Sequence, residues 1–349
     1  MIKLTDRQNK ILEVIRELDV ASNQKIQEVI NSISRITLIR DLNFLLENGL
    51  ISKKGKGRSV FYEEKAKQDF LRYVNVDKYF QKEADQRNVK FSSFNFEIFK
   101  NIRRVLDNAE SEELNALNLE YQKRVKSLPE SILKKEFERL TIELSWKSSK
   151  IEGNTYSLID TEILIKENKE ASGHKKEEAI MILNHKRALD CILDQRSNFK
   201  RLNVGKIESI HDLIVEGLNV GKGIRKEPVG ITGTKYMPLD NQHQIREAME
   251  KMIKTLNNMQ NVFDKALFAI VALSYIQPFE DGNKRTARLL SNALLLANDA
   301  CPLSFRNVNE ADYKKALIVF FEQNNLRAFK EVFVEQFKFS MANYFLVKK

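Results

Sequence analysis

Five prolines and twelve glycines are all that interrupt 349 residues, and this scarcity constrains the fold more than any other feature. A chain with so few breakers, whose apolar residues mostly recur with a 3.6-residue period, is expected to be mainly α. At 42% hydrophobic it can bury a substantial core, and its length exceeds the usual size of one domain. The expected division is a small module over 1–64, a helical connector over 65–90, a helical region over 91–200 and a core over 201–349.

The formal charge of +10 favours anionic partners without naming one. Cys191 and Cys301 stand far apart with no metal-ligand spacing, which fits a reducing compartment, so the expected location is cytoplasmic. The opening MIKLTDRQNK turns polar too early for a signal peptide. The longest apolar run, Ala266 to Leu273, is far short of the roughly 20 residues that span a bilayer, so no membrane partner is expected.

Residues 5–62 read as three short helices and a strand pair. Thr5 caps the first, which carries Ile11, Val14, Ile15 and Leu18 on one face; the second has Ile26, Val29 and Ile30 apolar; a tight turn at 32–34 leads to the third. In that third helix, Arg35 to Glu47, the pattern buries Ile36, Ile39, Leu42, Leu45 and Leu46 and leaves Arg35, Thr37, Arg40 and Asn43 outside. LISKKGKGRSVFYE then alternates around a Gly-containing tip, the pattern of a β-hairpin. Three helices followed by a basic hairpin resemble a winged helix-turn-helix. The likeness implies DNA as a partner, with Arg35, Thr37 and Arg40 toward bases and Lys53, Lys54, Lys56 and Arg58 on phosphates. Modules of this kind favour two-fold operators, which makes a homodimer an expectation.

The stretch richest in chemistry is Ser274-Tyr-Ile-Gln-Pro-Phe-Glu-Asp-Gly-Asn-Lys-Arg-Thr-Ala-Arg288. An apolar helix precedes it, another follows from about Lys284, and Pro278 to Asn283 must be the loop between them. A Gly-containing loop entering a helix presents free N–H groups and the positive end of the dipole to an anion. Arg285 and Arg288 stand three apart on that first turn, where cations are disfavoured unless an anion is bound. Asp281 just before them suits Mg²⁺, which one carboxylate plus phosphate oxygens can hold. Spacing alone leaves a second reading open, an Asp-Gly-Asn turn joining two core helices with its arginines paired to acids.

The stretch is similar to the signature of the Fic family, His-x-Phe-x-Asp/Glu-Gly-Asn-Gly/Lys-Arg-x-x-Arg, at every specified position but the first. The likeness runs over residues 88–345 and implies an all-helical domain that transfers AMP from ATP, with Mg²⁺, to a hydroxyl on a protein target, which can be the chain itself. By this resemblance Phe279 anchors the loop, Asp281 binds Mg²⁺, Gly282 and Asn283 form the anion hole, and Arg285 and Arg288 hold the β- and γ-phosphates. Gln277 stands where the family has its catalytic histidine. That histidine takes the proton of the incoming hydroxyl, and an amide cannot. Lys284 stands where adenylylating members mostly carry glycine; some relatives with lysine here transfer phosphate instead.

Two further segments extend the resemblance. Glu227-Pro-Val-Gly-Ile-Thr-Gly-Thr-Lys-Tyr-Met-Pro238 alternates like a strand and is similar to the family's target-binding flap, a short hairpin. This assigns Gly230, Ile231, Thr232, Gly233, Thr234 and Tyr236 to the flap. Upstream, Ser148-Ser-Lys-Ile-Glu-Gly-Asn154 closes a long helical pattern and resembles the family's inhibitory motif, Ser/Thr-x-x-x-Glu-Gly/Asn. Ser148, Glu152 and Gly153 fill its positions; Gly153 reads as a left-handed cap, and Arg288 is the expected partner of Glu152.

None of the four histidines has metal-ligand spacing. His174 and His185 read as surface residues, His211 as a hydrogen-bonded structural residue, and His243 follows the flap. Two functions are then open: a nucleotide-dependent transferase held off by Glu152, or a DNA-binding transcriptional regulator whose Fic domain is an inactive ATP-sensing or dimerisation module. Gln277 is the residue that separates them.

Overall fold

A computed structural model describes residues 4–31, 33–65 and 68–346. The described residues form helices throughout and a single two-stranded sheet, as the scarcity of breakers predicts. At the N-terminus lie α1 (Asp6–Glu17), α2 (Asn23–Ile30) and α3 (Arg35–Glu47). The Thr5 hydroxyl accepts from the Gln8 amide while the Gln8 side chain bonds Thr5 N, a reciprocal cap that fixes the start of α1. Ser22 and Ser34 cap the other two. Of the turn expected at 32–34, residue 32 lies outside the described residues.

Antiparallel β1 (Ile51–Lys54) and β2 (Phe61–Glu64) follow, Ile51 opposite Glu64 and Lys54 opposite Phe61. At the tip Gly55 has φ +83°, and a Cβ there would lie 2.0 Å from the Ser59 carbonyl oxygen, so no other residue fits. This module has its own apolar cluster, built on Ile11, Ile15, Ile26, Leu38, Leu42, Leu45 and Ile51.

The core stripe of α3 differs from the sequence reading. Leu38, Asp41, Leu42 and Leu45 face inward, whereas Ile36 is 82% exposed and Ile39 is also exposed. Asp41 sets this rotation: its carboxylate accepts from Arg7 Nε at 2.5 Å and from Gln8 Nε2 at 3.3 Å, both on α1. A carboxylate paired this way can be buried, and it carries its helical neighbours inward with it.

Residues 65–90, expected as a helical connector, make short turns instead: Asp69–Leu71 and Ala84–Gln86 flank the brief α4 (Val76–Phe80). Beside the local bonds of these turns, several of the segment's polar groups bond the following domain. The Lys90 and Phe91 amides both donate to the Glu322 carbonyl, at 3.0 and 2.9 Å, and Leu326 N donates to the Phe70 carbonyl at 2.7 Å. Backbone groups satisfied externally have no need of a helix.

The rest of the chain comprises α5 (Ile98–Asn101), α6 (Asn108–Ser127), α7 (Glu130–Ile151), α8 (Leu158–Glu167), α9 (Lys176–Asp194), α10 (Val204–Val215), α11 (Gln242–Asn258), α12 (Val262–Ile276), α13 (Asn283–Ala297), α14 (Glu310–Gln323) and α15 (Arg327–Asn343). α12 is apolar on all sides, which suits only a helix surrounded by protein, and it packs along α13 at the centre. Around the pair stand α7, α9, α10, α11, α14 and α15. No helix among the described residues is long and apolar enough to cross a membrane.

Glu64, the last residue of the hairpin, joins module and body. Its carboxylate accepts from Arg16 Nε at 2.8 Å and from Arg327 Nη1 at 2.8 and 3.0 Å, and it also takes the Tyr73 amide at 3.2 Å. Two cations from separate regions thus share one poorly exposed anion. Glu64→Ala is expected to lower stability by about 1–3 kcal/mol, because it leaves two charged donors unpaired. Urea unfolding checks this, and a midpoint equal to the parent's would contradict the latch.

Candidate functional site

The α12–α13 loop is shaped by four devices. α12 ends on Gln277 in the left-handed region (φ 49°, ψ 57°), a conformation that costs a non-glycine residue about 1–2 kcal/mol. The Asn283 side chain then grips the loop from inside: its Oδ1 accepts the Phe279 amide at 2.9 Å and its Nδ2 donates to the Phe279 carbonyl at 2.7 Å. The Phe279 ring is buried and stacks on His211 at 3.8 Å, while His211 Nε2 lies 3.0 Å from the Asp281 carbonyl oxygen. Burial pushes the His211 imidazole below its usual range, so it is neutral, with its proton assigned to Nε2 by that acceptor.

Gly282 completes the turn at φ +79°. A Cβ there would lie 3.1 Å from Ile214 Cγ2 and 3.2 Å from Val215 Cγ1, both on α10. The first α13 bond runs from Thr286 N to the Gly282 carbonyl, which leaves the Asn283, Lys284 and Arg285 amides ahead of it without an intrahelical acceptor. No acid stands in this first turn and no side chain caps it. Free N–H groups, the dipole and two cations coincide, as an anion site requires.

Arg285 is 2% exposed, and its Nη2 donates to Asp281 Oδ2 at 2.9 Å. Its Nη1 is buried with no partner among the described residues. An orphaned guanidinium donor is costly unless something outside the chain accepts its proton. Burial lowers the Arg285 pKa, but a guanidinium remains charged in proteins.

Arg288 is fully buried and its Nε and Nη2 are already paired: Nε donates to Ser148 Oγ at 2.9 Å, Nη2 to the Ser148 carbonyl at 2.9 Å and to Glu152 Oε1 at 2.8 Å. Its ring neighbour is Tyr313, whose hydroxyl lies 3.5 Å from Nη1. Glu152 reaches Arg288 because α7 stops there. Gly153 adopts φ +99°, its amide bonds the Lys150 carbonyl, and the Asn154 amide bonds the Ser149 carbonyl, a Schellman closure. Burial acts to raise the Glu152 carboxyl, but the charges of Arg288 and then Lys284, with the Arg288 hydrogen bond, outweigh it and hold it below the usual carboxylate range. The pairing therefore stands above that depressed pKa and is lost only as pH falls through it.

A cavity of about 390 Å³ gathers these parts. Glu152, Gln277, Asp281, Gly282, Asn283, Lys284 and Arg285 line one side, and Gly230, Ile231 and Thr232 the other. Arg288 lies behind Glu152 and does not line it. A larger hollow of about 710 Å³ between Phe96, Phe99 and Lys254 shares none of these residues and is lined by no carboxylate, histidine or cysteine.

Gln277 lines the cavity, but its amide donates to the Ser274 carbonyl at 2.7 Å. The segment 227–238, expected as a hairpin, carries no strand pair; its one β-type contact is a parallel bridge from Met237 to Ser93. Long-range polar anchors replace the missing strand partner. Arg225 donates to the carbonyls of Gln277 (2.7 Å), Glu227 (2.7 Å) and Leu239. Arg87 reaches the Gly233 carbonyl and pairs with buried Glu322 at 3.0 Å, which also accepts from Thr234 Oγ1 at 2.6 Å. The Tyr236 hydroxyl donates to the Tyr275 carbonyl at 2.7 Å. Gly230, Ile231 and Thr232 keep their backbone groups unbonded among the described residues. Arg225, Arg87, Glu322 and Tyr313 escaped the sequence reading, since nothing local marks a distant carbonyl as their partner.

His185, expected at the surface, is fully buried on α9 with Nδ1 3.5 Å from Ser145 Oγ. Burial, then Arg288 and Arg285, holds its imidazole well below the usual range. His174 bonds Thr155 Oγ1 at 2.8 Å, and His243 is exposed at the start of α11. No group of three His, Cys, Asp or Glu residues among the described ones could hold a metal unaided. Asp281, 65% exposed at the cavity rim, is one carboxylate beside an anion site. It fits a cation that would take its remaining ligands from phosphate and water.

Gly282→Ala is expected to destabilise by about 1–3 kcal/mol, since the new methyl meets two α10 side chains at a positive φ. Thermal unfolding reads this directly; an unchanged Tm would mean the turn is not held as described.

Residues 201–295 match the model of the Fic/DOC family. A probable protein adenylyltransferase of Aquifex aeolicus is 32% identical over 100 residues, 28% of this chain and 31% of that protein. The protein adenylyltransferase Fic of Nematostella vectensis is 27% identical over 183 residues, 49% of this chain and 41% of that one. The chain thus spans less than half the length of these curated relatives. Among solved structures, Fic-1 from C. elegans superposes with a TM-score of 0.58 at 19% identity, covering 68% of this chain and 71% of that one. A Fic family protein from Desulfovibrio desulfuricans gives 0.56 at 22%, covering 69% and 75%. These structural likenesses establish the helical fold.

Proposed function

We propose that this chain, whose residues 201–295 match the Fic/DOC family, binds ATP in the 390 Å³ cavity and transfers AMP to a protein hydroxyl, slowly and under restraint by Glu152. The observation that carries the reading is the buried, partnerless Nη1 of Arg285 beside an uncapped helix N-terminus. Phosphate oxygens would satisfy that donor together with the amides of Asn283 and Lys284. Mg²⁺ held by Asp281 would neutralise charge developing on the phosphates. In the transfer, a hydroxyl oxygen bonds to the α-phosphorus, the bond from that phosphorus to the bridging oxygen breaks, and pyrophosphate departs. The hydroxyl proton goes to an oxygen of the departing pyrophosphate or to solvent, because the Gln277 amide has no basic site and its Nε2 already donates to the Ser274 carbonyl. The backbone groups of Gly230, Ile231 and Thr232, unbonded among the described residues, would hold the target by strand addition.

Glu152 is the restraint because it occupies Arg288, the arginine assigned to the γ-phosphate. ATP labelled at its α-phosphate should mark protein faintly with the parent chain and more strongly with Glu152→Gly. Adding Gln277→His should raise the rate further, by about 10²–10⁴, the usual worth of a general base. No label from any of the three sinks the transferase reading.

A second reading, a DNA-binding regulator with an inactive Fic domain, is favoured by the occupied Gln277 amide and by the N-terminal module. In that module Arg35 and Arg40 are exposed on α3, and Lys53 and Lys56 on the hairpin; Lys54 pairs with Glu63 at 2.7 Å. The Arg58 side chain lies outside the described residues. Wing cations on phosphates predict that binding to the chain's own promoter weakens steeply with salt. Replacing Lys53, Lys54, Lys56 and Arg58 by Ala should flatten that slope by up to about 0.9 per lost contact; an unchanged slope would remove the wing from the interface.

A further inference from the structure

The Glu152 carboxylate touches two cations, one at each oxygen. Oε1 accepts from Arg288 Nη2 at 2.8 Å, and Oε2 faces Lys284 Nζ at 3.8 Å. Lys284 also lines the cavity, in the first turn of α13. A glycine at this position would leave Oε2 without this cation. Glu152 sits just past the C-terminus of α7, where the helix dipole disfavours a carboxylate, so its position depends on these counter-charges.

We infer that Lys284 is a two-position residue: it closes the inhibitory lock on Glu152 when the cavity is empty, and it turns to the terminal phosphate of a nucleotide once Glu152 is displaced. The inference rests on the nucleotide reading above and deepens it by assigning one residue to both states. When Glu152 leaves, Arg288 and Lys284 lose their shared anion together. The displacing ligand must then present at least two anionic oxygens, which a terminal phosphate does and a sugar hydroxyl does not. Lysine suits the part: its ammonium is a point charge on a flexible stem, able to follow either anion, whereas the Arg288 fork is fixed by Ser148 and Tyr313.

The test is a double-mutant cycle on the full chain, read as Mg-ATP affinity by calorimetry for the parent, Lys284→Ala, Glu152→Gly and the double variant. In the Glu152→Gly background, Lys284→Ala should weaken binding by about tenfold, the loss of one good charge contact to phosphate. In the parent background the same change should cost at least about threefold less, or tighten binding, because it also loosens the lock. Lys284→Arg, which keeps the charge, should preserve the difference between backgrounds, and thermal unfolding of each variant checks that the fold is intact. Equal weakening in both backgrounds overturns the lock while leaving nucleotide binding intact. Absence of Mg-ATP binding to every variant overturns the nucleotide reading and this inference with it.

Discussion

A guanidinium with no exposed surface cannot be left without an anion, and Arg288 is such a group at the centre of the molecule. Removing the partner of a buried charge costs about 3–5 kcal/mol, more than a surface contact can return. The chain supplies Glu152 from the end of α7, together with the Ser148 carbonyl and hydroxyl from the last turn of the same helix. One helix terminus thus serves one arginine, and the Gly153 closure stops the helix where the carboxylate can reach. An anionic ligand can reach Arg288 only by taking over what Glu152 now does. On the proposed reading, inhibition and phosphate binding are alternative answers to the same electrostatic demand.

Around this pair the architecture is arranged to keep a turn open. Asn283 bonds both backbone groups of Phe279, His211 takes the Asp281 carbonyl, and α10 packs against Gly282 so closely that even a methyl group would press on Ile214 and Val215. None of these contacts uses the amides that begin α13. The opposite wall is hung from farther away. Arg225 ties the 227–239 segment to the Gln277 carbonyl, while Arg87 and Glu322 tie it to the segment that follows the N-terminal module. That segment is in turn joined to the hairpin through Glu64 and Arg327.

Where chemistry is local in sequence, it was legible. The loop between two apolar helices, its glycine, the two arginines and the Glu-Gly ending of α7 all follow from spacing and cap rules; the structure brings the loop, Arg285 and Glu152 to one cavity and sets Arg288 behind Glu152. The likeness to the Fic signature then identified Arg288 as the partner of Glu152, a contact spanning 136 residues. Where the deciding contact was nonlocal and polar, reading failed. α3 is rotated because Asp41 finds Arg7, which exposes Ile36; residues 68–90 make short turns tied to α14 and α15 through Lys90, Phe70 and Arg87; the 227–238 segment is held by three buried side chains that take its carbonyls or hydroxyl. His185 reads as a surface residue in the sequence, yet it is buried against Ser145.

The most direct measurement is the crystal structure of Glu152→Gly grown with Mg-ATP. The account predicts triphosphate density against the amides of Asn283 and Lys284, with Arg285 Nη1 and the freed Arg288 both on phosphate oxygens. A nucleotide-free turn at saturating ATP, with Arg285 and Arg288 bonded only to protein, would contradict it.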